Sequence, residues 1–143
     1  MFTYVQESGE MIDPHGQIIG TGYSGSYTGR NNPNMQNVPG IGPIPCGFYG
    51  METIVDSAGQ PCDYGDKKAP VIALIPDPSN EMWGTYGFLI HGDNDRHTAS
   101  DGCIIQEHPT RVTMSNNSDK KLQVIATLMH NVENVRDAAT GEN

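Results

Sequence analysis

No apolar run in this chain approaches the roughly 20 residues a helix needs to cross a bilayer. The longest, Val71–Ile75, has five. Basic residues are few: eight Lys and Arg stand against seventeen Asp and Glu, a formal net charge of −9 at pH 7. No basic cluster exceeds Lys67-Lys68 or Lys120-Lys121, which excludes a phosphate-neutralising face and with it a nucleic-acid partner. The same shortage disfavours anionic membrane surfaces. Cysteine is limited to three residues, an odd number that excludes a fully paired disulfide framework. If Cys46 and Cys62 pair, Cys103 is left free; otherwise those two are reduced structural thiols. The N-terminal stretch Met1 to Glu10 lacks a basic region followed by an apolar core, so no conventional signal peptide is visible. The expectation is a protein made in the cytoplasm, with any action beyond it requiring another route or a lost leader.

Glycine and proline are abundant, at 17 and 10 in 143 residues, which predicts many turns and short strands. Hydrophobic residues make up 36%, enough for one core and one domain. Most apolar runs are short and β-branched, so the expected class is mainly β with one short helix. Strands are expected at Phe2–Gln6, from Met11, about Phe48–Val55, Val71–Ile75 as a continuously buried run, Phe88–Ile90 and Leu122–Thr127. Ile18 and Ile19 extend the first hairpin. The glycine-rich segment from Gly20 to Gly29 lacks the Gly-Lys-Ser/Thr step of a phosphate loop and reads as a flexible loop. Pro109 is placed to open a short helix reaching about Met114. The domain is expected over residues 1–130, with 131–143 a polar tail.

The chemistry concentrates between Phe88 and Cys103. An apolar strand delivers His91-Gly92, a polar loop follows, and Ser100-Asp101-Gly102-Cys103 leads into Ile104-Ile105. A thiol becomes a useful nucleophile when a neighbouring group takes its proton. The loop is long enough to let the two elements lie side by side and bring imidazole and thiol together. Gly102 leaves room for a substrate carbonyl to approach backbone N–H groups. The arrangement reads as a cysteine acyl-transfer site. Two other readings stand beside it: Cys103 as a small core residue, and a zinc site drawn from His91, Asp93, His97, Cys103 and His108, whose spacings fit no zinc signature.

His91-Gly92 followed by Ser100-X-Gly102-Cys103 resembles the signature of L,D-transpeptidase (YkuD-type) catalytic domains. The flanking blocks are similar to the type VI secretion L,D-transpeptidase effectors. These blocks are Gly22-Tyr23-Ser24-Gly25, Asn31-Asn32-Pro33, Gly42-Pro43-Ile44-Pro45 with Gly47-Phe48-Tyr49, and Phe88 to Asp93. The likeness runs from about Phe2 to Ala126. It implies a small β-sandwich-like domain with a short helix after the cysteine, acting on peptidoglycan stem peptides through a thioester and without a cofactor or metal. Water would give a trimmed peptide, and an amine a crosslink or exchanged D-amino acid.

By the same resemblance Cys103 is the nucleophile, His91 the general base and the Gly92 carbonyl the group that holds the imidazole. Gly102 and Cys103 would offer their N–H groups to an oxyanion. Ser100 would shape the loop and contact substrate, with Asp101, Asp93, Tyr23, Ser24 and Asn32 as further substrate contacts. Many cell-wall members carry His or Arg where Asp101 stands; an inward carboxylate there would raise the thiol pKa, so Asp101 is expected to face outward or meet a substrate amine. The twelve-position step from His91 to Cys103 suits the effector branch. The implied setting is a target-cell periplasm reached by secretion, with a cognate immunity protein and a secretion-machinery component as partners and no membrane insertion. A phage or housekeeping wall enzyme of the same chemistry, and a non-catalytic wall-binding or virion module, remain as alternatives.

Overall fold

The computed structural model describes residues 1–128; the expected 131–143 tail lies outside them. Nine strands and one α-helix follow the order β1 (Phe2–Val5), β2 (Glu10–Ile12), β3 (Ile18–Thr21), β4 (Tyr23–Ser24), β5 (Gly47–Thr53), β6 (Ile72–Pro76), β7 (Leu89–His91), β8 (Ile104–Ile105), α1 (His108–Asn116) and β9 (Lys121–Ile125). All nine join one sheet in the order β3-β2-β1-β9-β5-β6-β7-β8-β4. The described residues are mainly β with one short α-helix after Cys103, the class expected from the short β-branched runs.

The sheet's two edge strands, β3 and β4, are consecutive in sequence and separated by Gly22 alone. One residue cannot span a flat nine-stranded sheet, so the sheet must curl until its edges nearly meet, with each half facing the other across the core. The sandwich-like body is therefore a single sheet folded over itself. At the seam the Gly22 N–H donates to the Gly9 carbonyl at 2.8 Å. A Cβ on Gly22 would lie 1.7 Å from the Ile105 carbonyl oxygen, so only glycine allows this approach. The glycine-rich segment expected to be a flexible loop instead supplies the end of β3, all of β4 and a 3₁₀ turn at Tyr27–Gly29. Its glycines serve close backbone packing.

Phe2, Tyr4, Met11, Ile44, Ile72, Ile90, Ile104, Met114 and Leu122 form the buried core. Along β5 the strand period shows clearly: Tyr49 and Met51 are buried while Phe48 is 48% exposed. The same alternation corrects the reading of Val71–Ile75 as continuously buried. Ile72 and Leu74 face the core, but Ile75 is 46% exposed, because β6 here covers the core with one face only. Helix α1 places Pro109 in its first turn and buries Met114. Its last carbonyls, of Met114 and Ser115, accept from the Lys120 ammonium at 3.3 and 2.7 Å, the favoured charge at a helix C-terminus.

Candidate active site

Strands β7 and β8 are neighbours and run parallel, with Ile90 opposite Ile104 and His91 opposite Ile105. Ile90 and Ile104 are both fully buried in the core. Alternation turns His91 and Ile105 to the opposite face, and one step back along each strand brings Leu89 and Cys103 to that same face. The parallel direction also explains the polar loop. The chain must travel back along β7 before β8 begins, so His91 and Cys103 end up diagonal, about 8 Å apart at their backbones from strand spacing and rise. That is within reach of an imidazole and a thiol turned toward one another.

The imidazole of His91 is 3% exposed, and its Nδ1 lies 2.8 Å from the Gly92 carbonyl oxygen. A carbonyl can only accept, so Nδ1 carries the proton and Nε2 keeps its lone pair. Burial lowers the His91 pKa from its ordinary 6.5; Lys67 and Arg111 add to the lowering, while the Gly92 carbonyl and Asp66 oppose it. The Cys103 thiol accepts a hydrogen bond from the Leu89 N–H at 3.3 Å. Burial raises its pKa from 9.0, Asp101 adds to the rise, and the Leu89 N–H and Lys67 pull it down. The two shifts agree in direction: burial favours the neutral form of both the thiol and the imidazole. A preformed thiolate–imidazolium pair would need the opposite shifts. All three cysteines are free thiols.

Ser100 ties the Gly-Cys step together. It is 1% exposed. Its hydroxyl donates to the Cys103 carbonyl at 2.5 Å and accepts from the N–H groups of Gly25 and Gly102 at 2.8 and 3.0 Å. Two expectations change here. Ser100 shapes the loop but is too buried to touch a ligand, and the Gly102 N–H is already engaged and so is not free for an oxyanion. Among the described residues the Cys103 N–H finds no such partner. Gly102 itself has φ of +142°, and a Cβ there would sit 2.6 Å from Phe88 Cε1. The residue before the cysteine is glycine for both reasons.

Ser24 and Asn32 both hold nearby backbone, Ser24 from full burial and Asn32 from a half-buried position. The Ser24 hydroxyl is fully buried, donating to the Gly102 carbonyl and accepting from the Ile44 N–H, both at 2.8 Å. The Asn32 side chain accepts from the Asn34 N–H and donates to the Thr28 carbonyl, each at 3.1 Å, which holds the turn at Pro33–Met35. Asp101 is exposed, yet it lies close enough to Cys103 for its charge to add to the rise in the thiol pKa.

A cleft of about 890 Å³ opens beside His91, and Tyr23, Gly92, Asp93 and Ile105 share its lining. The lining stops at the His91–Ile105 register, and Cys103, two residues back, lies past its edge. Lys67 connects the two, since it lines the cleft and its charge acts on both His91 and Cys103. The polar loop above the cleft is closely tied. Tyr23 donates to Asp93 at 2.5 Å and accepts from the Ala99 N–H at 2.9 Å. His97 Nδ1 meets the other Asp93 oxygen at 2.7 Å. The Arg30 guanidinium stacks 3.9 Å above the Tyr23 ring and donates to the His97 carbonyl. Desolvation pushes the Asp93 carboxyl up, but hydrogen bonds from Tyr23, His97 and Asn94 outweigh it and leave the pKa lowered. Among the described residues no three His, Cys, Asp or Glu side chains gather closely enough to hold a metal ion.

Sequence reasoning missed Arg111, Lys67 and Gln106, which all line the cleft. Lys67 was visible only as half of a short basic pair, and Arg111 as one polar position of a nine-residue helix. Nothing local marks either as facing the site, because the cleft draws them from separate segments.

Taken together, the site is that of a small curled β-domain whose cysteine and histidine come from adjacent parallel strands. The family model described as the Tlde1 domain matches residues 19–129, and the chain belongs to that family of L,D-transpeptidase-like type VI secretion effectors, which is associated with action on peptidoglycan. No curated protein and no solved structure matches the chain.

Proposed function

We propose that the protein is a cysteine-dependent L,D-carboxypeptidase and L,D-transpeptidase of peptidoglycan stem tetrapeptides. The observation that carries the reading is the His91 tautomer: with Nδ1–H committed to the Gly92 carbonyl at 2.8 Å, Nε2 is left as a base on the Cys103 side of the sheet. As Cys103 Sγ attacks the carbonyl on the L-centre of the diaminopimelate residue, His91 Nε2 takes the thiol proton. The Cys103 N–H, left without a partner by the Ser100 network, meets the developing oxyanion. The C–N bond then breaks, His91 returns the proton to the leaving amine, and the terminal D-amino acid departs. The thioester is resolved by water, giving a trimmed tripeptide, or by an amine, giving a crosslink or exchanged residue.

In this reading the chain acts in the periplasm of a target bacterium, where trimming tetrapeptides removes donors for crosslinking. A producer would then need a cognate immunity protein and a component of the secretion machinery as partners. Family membership supports this setting over a phage or housekeeping role. The test is incubation of purified protein with tetrapeptide muropeptides and mass analysis of products. Loss of the terminal D-alanine, dependent on Cys103, is expected; unchanged muropeptides would overturn the reading. In cells, a secretory-leader fusion should cause swelling or lysis that Cys103→Ala abolishes, while cytoplasmic expression is tolerated.

A further inference from the structure

The cleft's charge runs against that of the chain. Arg30, Lys67, Lys68 and Arg111 all line it, four of the eight Lys and Arg in a protein of net charge −9. Of seventeen Asp and Glu, only Asp66, Asp93 and Glu107 do so. Asp93 is occupied by Tyr23 and His97; Lys67 and Lys68 each have a surface carboxylate, Asp66 at 3.3 Å and Asp63 at 3.4 Å, and Arg30 is stacked on Tyr23.

Arg111 is the residue this excess singles out. It is 5% exposed, yet no carboxylate pairs with it among the described residues. Nε donates to the Gln106 carbonyl at 3.0 Å, and Nη1 donates to the Lys68 and Pro70 carbonyls at 2.9 and 2.6 Å. Those bonds fix the guanidinium plane. They use three of its five N–H groups and leave both on Nη2 unpartnered. A Cβ on Gly92 would lie 2.9 Å from Nη2, so the absent side chain lets this nitrogen come up beside the residue whose carbonyl holds His91. The guanidinium is largely buried with neutral partners only. Nη2 is not among the buried unpartnered atoms and so keeps access to the cleft, and a planar fork held this way suits a carboxylate.

We propose that Arg111 Nη2 binds a carboxylate of the ligand in this cleft, with Lys67 as a second cation, and that the ligand is a peptide with a free C-terminal carboxylate. The anion site stands on the geometry of Arg111; identifying the peptide as a stem peptide rests on the function proposed above. The residue is a specificity determinant that places a peptide end next to His91.

Two pairs of probes separate these claims. N-acetyl-D-alanine and N-acetyl-D-alaninamide, titrated at millimolar concentration into Cys103→Ala protein, are followed through the NMR signal of the Arg111 side-chain N–H. The acid should shift that signal and bind about tenfold or more tightly than the amide, the scale of a charged hydrogen bond. Arg111→Lys, which keeps the charge but not the fork, should reduce that preference. Because the acid–amide comparison changes the ligand and not the protein, it holds even if the Arg111 variant folds poorly. Equal binding of acid and amide, no response of Arg111 to the acid, or a full preference persisting in folded Arg111→Lys would each overturn the site. Native protein is then given a stem tetrapeptide and its C-terminal amide. Acid binding at Arg111 without turnover of the tetrapeptide would leave the anion site standing and remove the stem-peptide reading. Equal kcat/KM for tetrapeptide and amide would do the reverse.

Discussion

The backbone N–H of Leu89 donates to Sγ of Cys103 at 3.3 Å, so the strand that ends in His91 also holds the thiol. This bond favours the thiolate, but burial outweighs it and leaves the thiol pKa raised. In the mechanism proposed above the proton leaves during attack, and His91 is the base that takes it.

Replacement of Cys103 is the direct check on the nucleophile. Cys103→Ala should leave the melting temperature close to that of the native protein and abolish release of D-alanine, a loss of several orders of magnitude in kcat. Cys46→Ala and Cys62→Ala should keep most turnover. Wild-type rates in Cys103→Ala would remove the proposed chemistry altogether.

The two shifts have a pH signature. Alkylation of Cys103 by iodoacetamide should rise with a midpoint above 9.0, with no plateau near pH 6 of the kind an ion pair gives. The acid limb of kcat/KM should fall below pH 6.5, because the His91 pKa is lowered from that value. Stability follows the same sign: the unfolded chain binds the proton more readily, so the His91 contribution is present above pH 6.5 and is lost as pH falls through its lowered pKa. His91→Gln should cost about 10²–10⁴ in kcat, the range for a general base, and flatten that limb. An unchanged limb in His91→Gln would assign it to another group.

Ser100→Ala removes a hydroxyl that serves Gly25, Gly102 and Cys103 at once. Two buried N–H groups would lose their acceptor, which should destabilise the fold by about 2–4 kcal/mol. Urea denaturation reads this directly, and a change under about 0.5 kcal/mol, the size of an ordinary surface substitution, would show that water replaces the hydroxyl.

Gly102→Ala tests the space before the thiol. The new methyl would meet the Phe88 ring at 2.6 Å in a backbone conformation of φ +142°. Destabilisation of about 2 kcal/mol or more is expected, together with loss of turnover as Cys103 shifts. A stable, active Gly102→Ala protein would mean that the Phe88 ring moves aside.

Tyr23→Phe isolates the tie between β4 and the polar loop. Without the hydroxyl, Asp93 loses a donor and the Ala99 N–H its acceptor. Amide hydrogen exchange across residues 93–99 should accelerate, and the Asp93 pKa should rise. Unaltered exchange would show that Arg30 and His97 suffice to hold the loop.

Several features were legible from residues alone. Short β-branched runs punctuated by glycine and proline identified most strands, and Pro109 marked the helix start, because those signals are local backbone preferences. His91-Gly92 and Gly102-Cys103 were recognisable because a strand followed by a thiol after glycine is a local pattern too. What only the tertiary structure decided is which polar groups are already engaged. Ser24 and Ser100 are ligand contacts by the resemblance, yet both are buried and bonded to backbone 20 or more residues away, Ser24 to Ile44 and Ser100 to Gly25, while Ser100 also ties Gly102 and Cys103. Gly22 looks flexible but is packed against Ile105 by closure of the sheet. Arg111 gains its exposed nitrogen only because Lys68, Pro70 and Gln106 converge on the rest of its guanidinium. Side-chain chemistry is written residue by residue; whether a donor is satisfied depends on partners that distant strands bring to it.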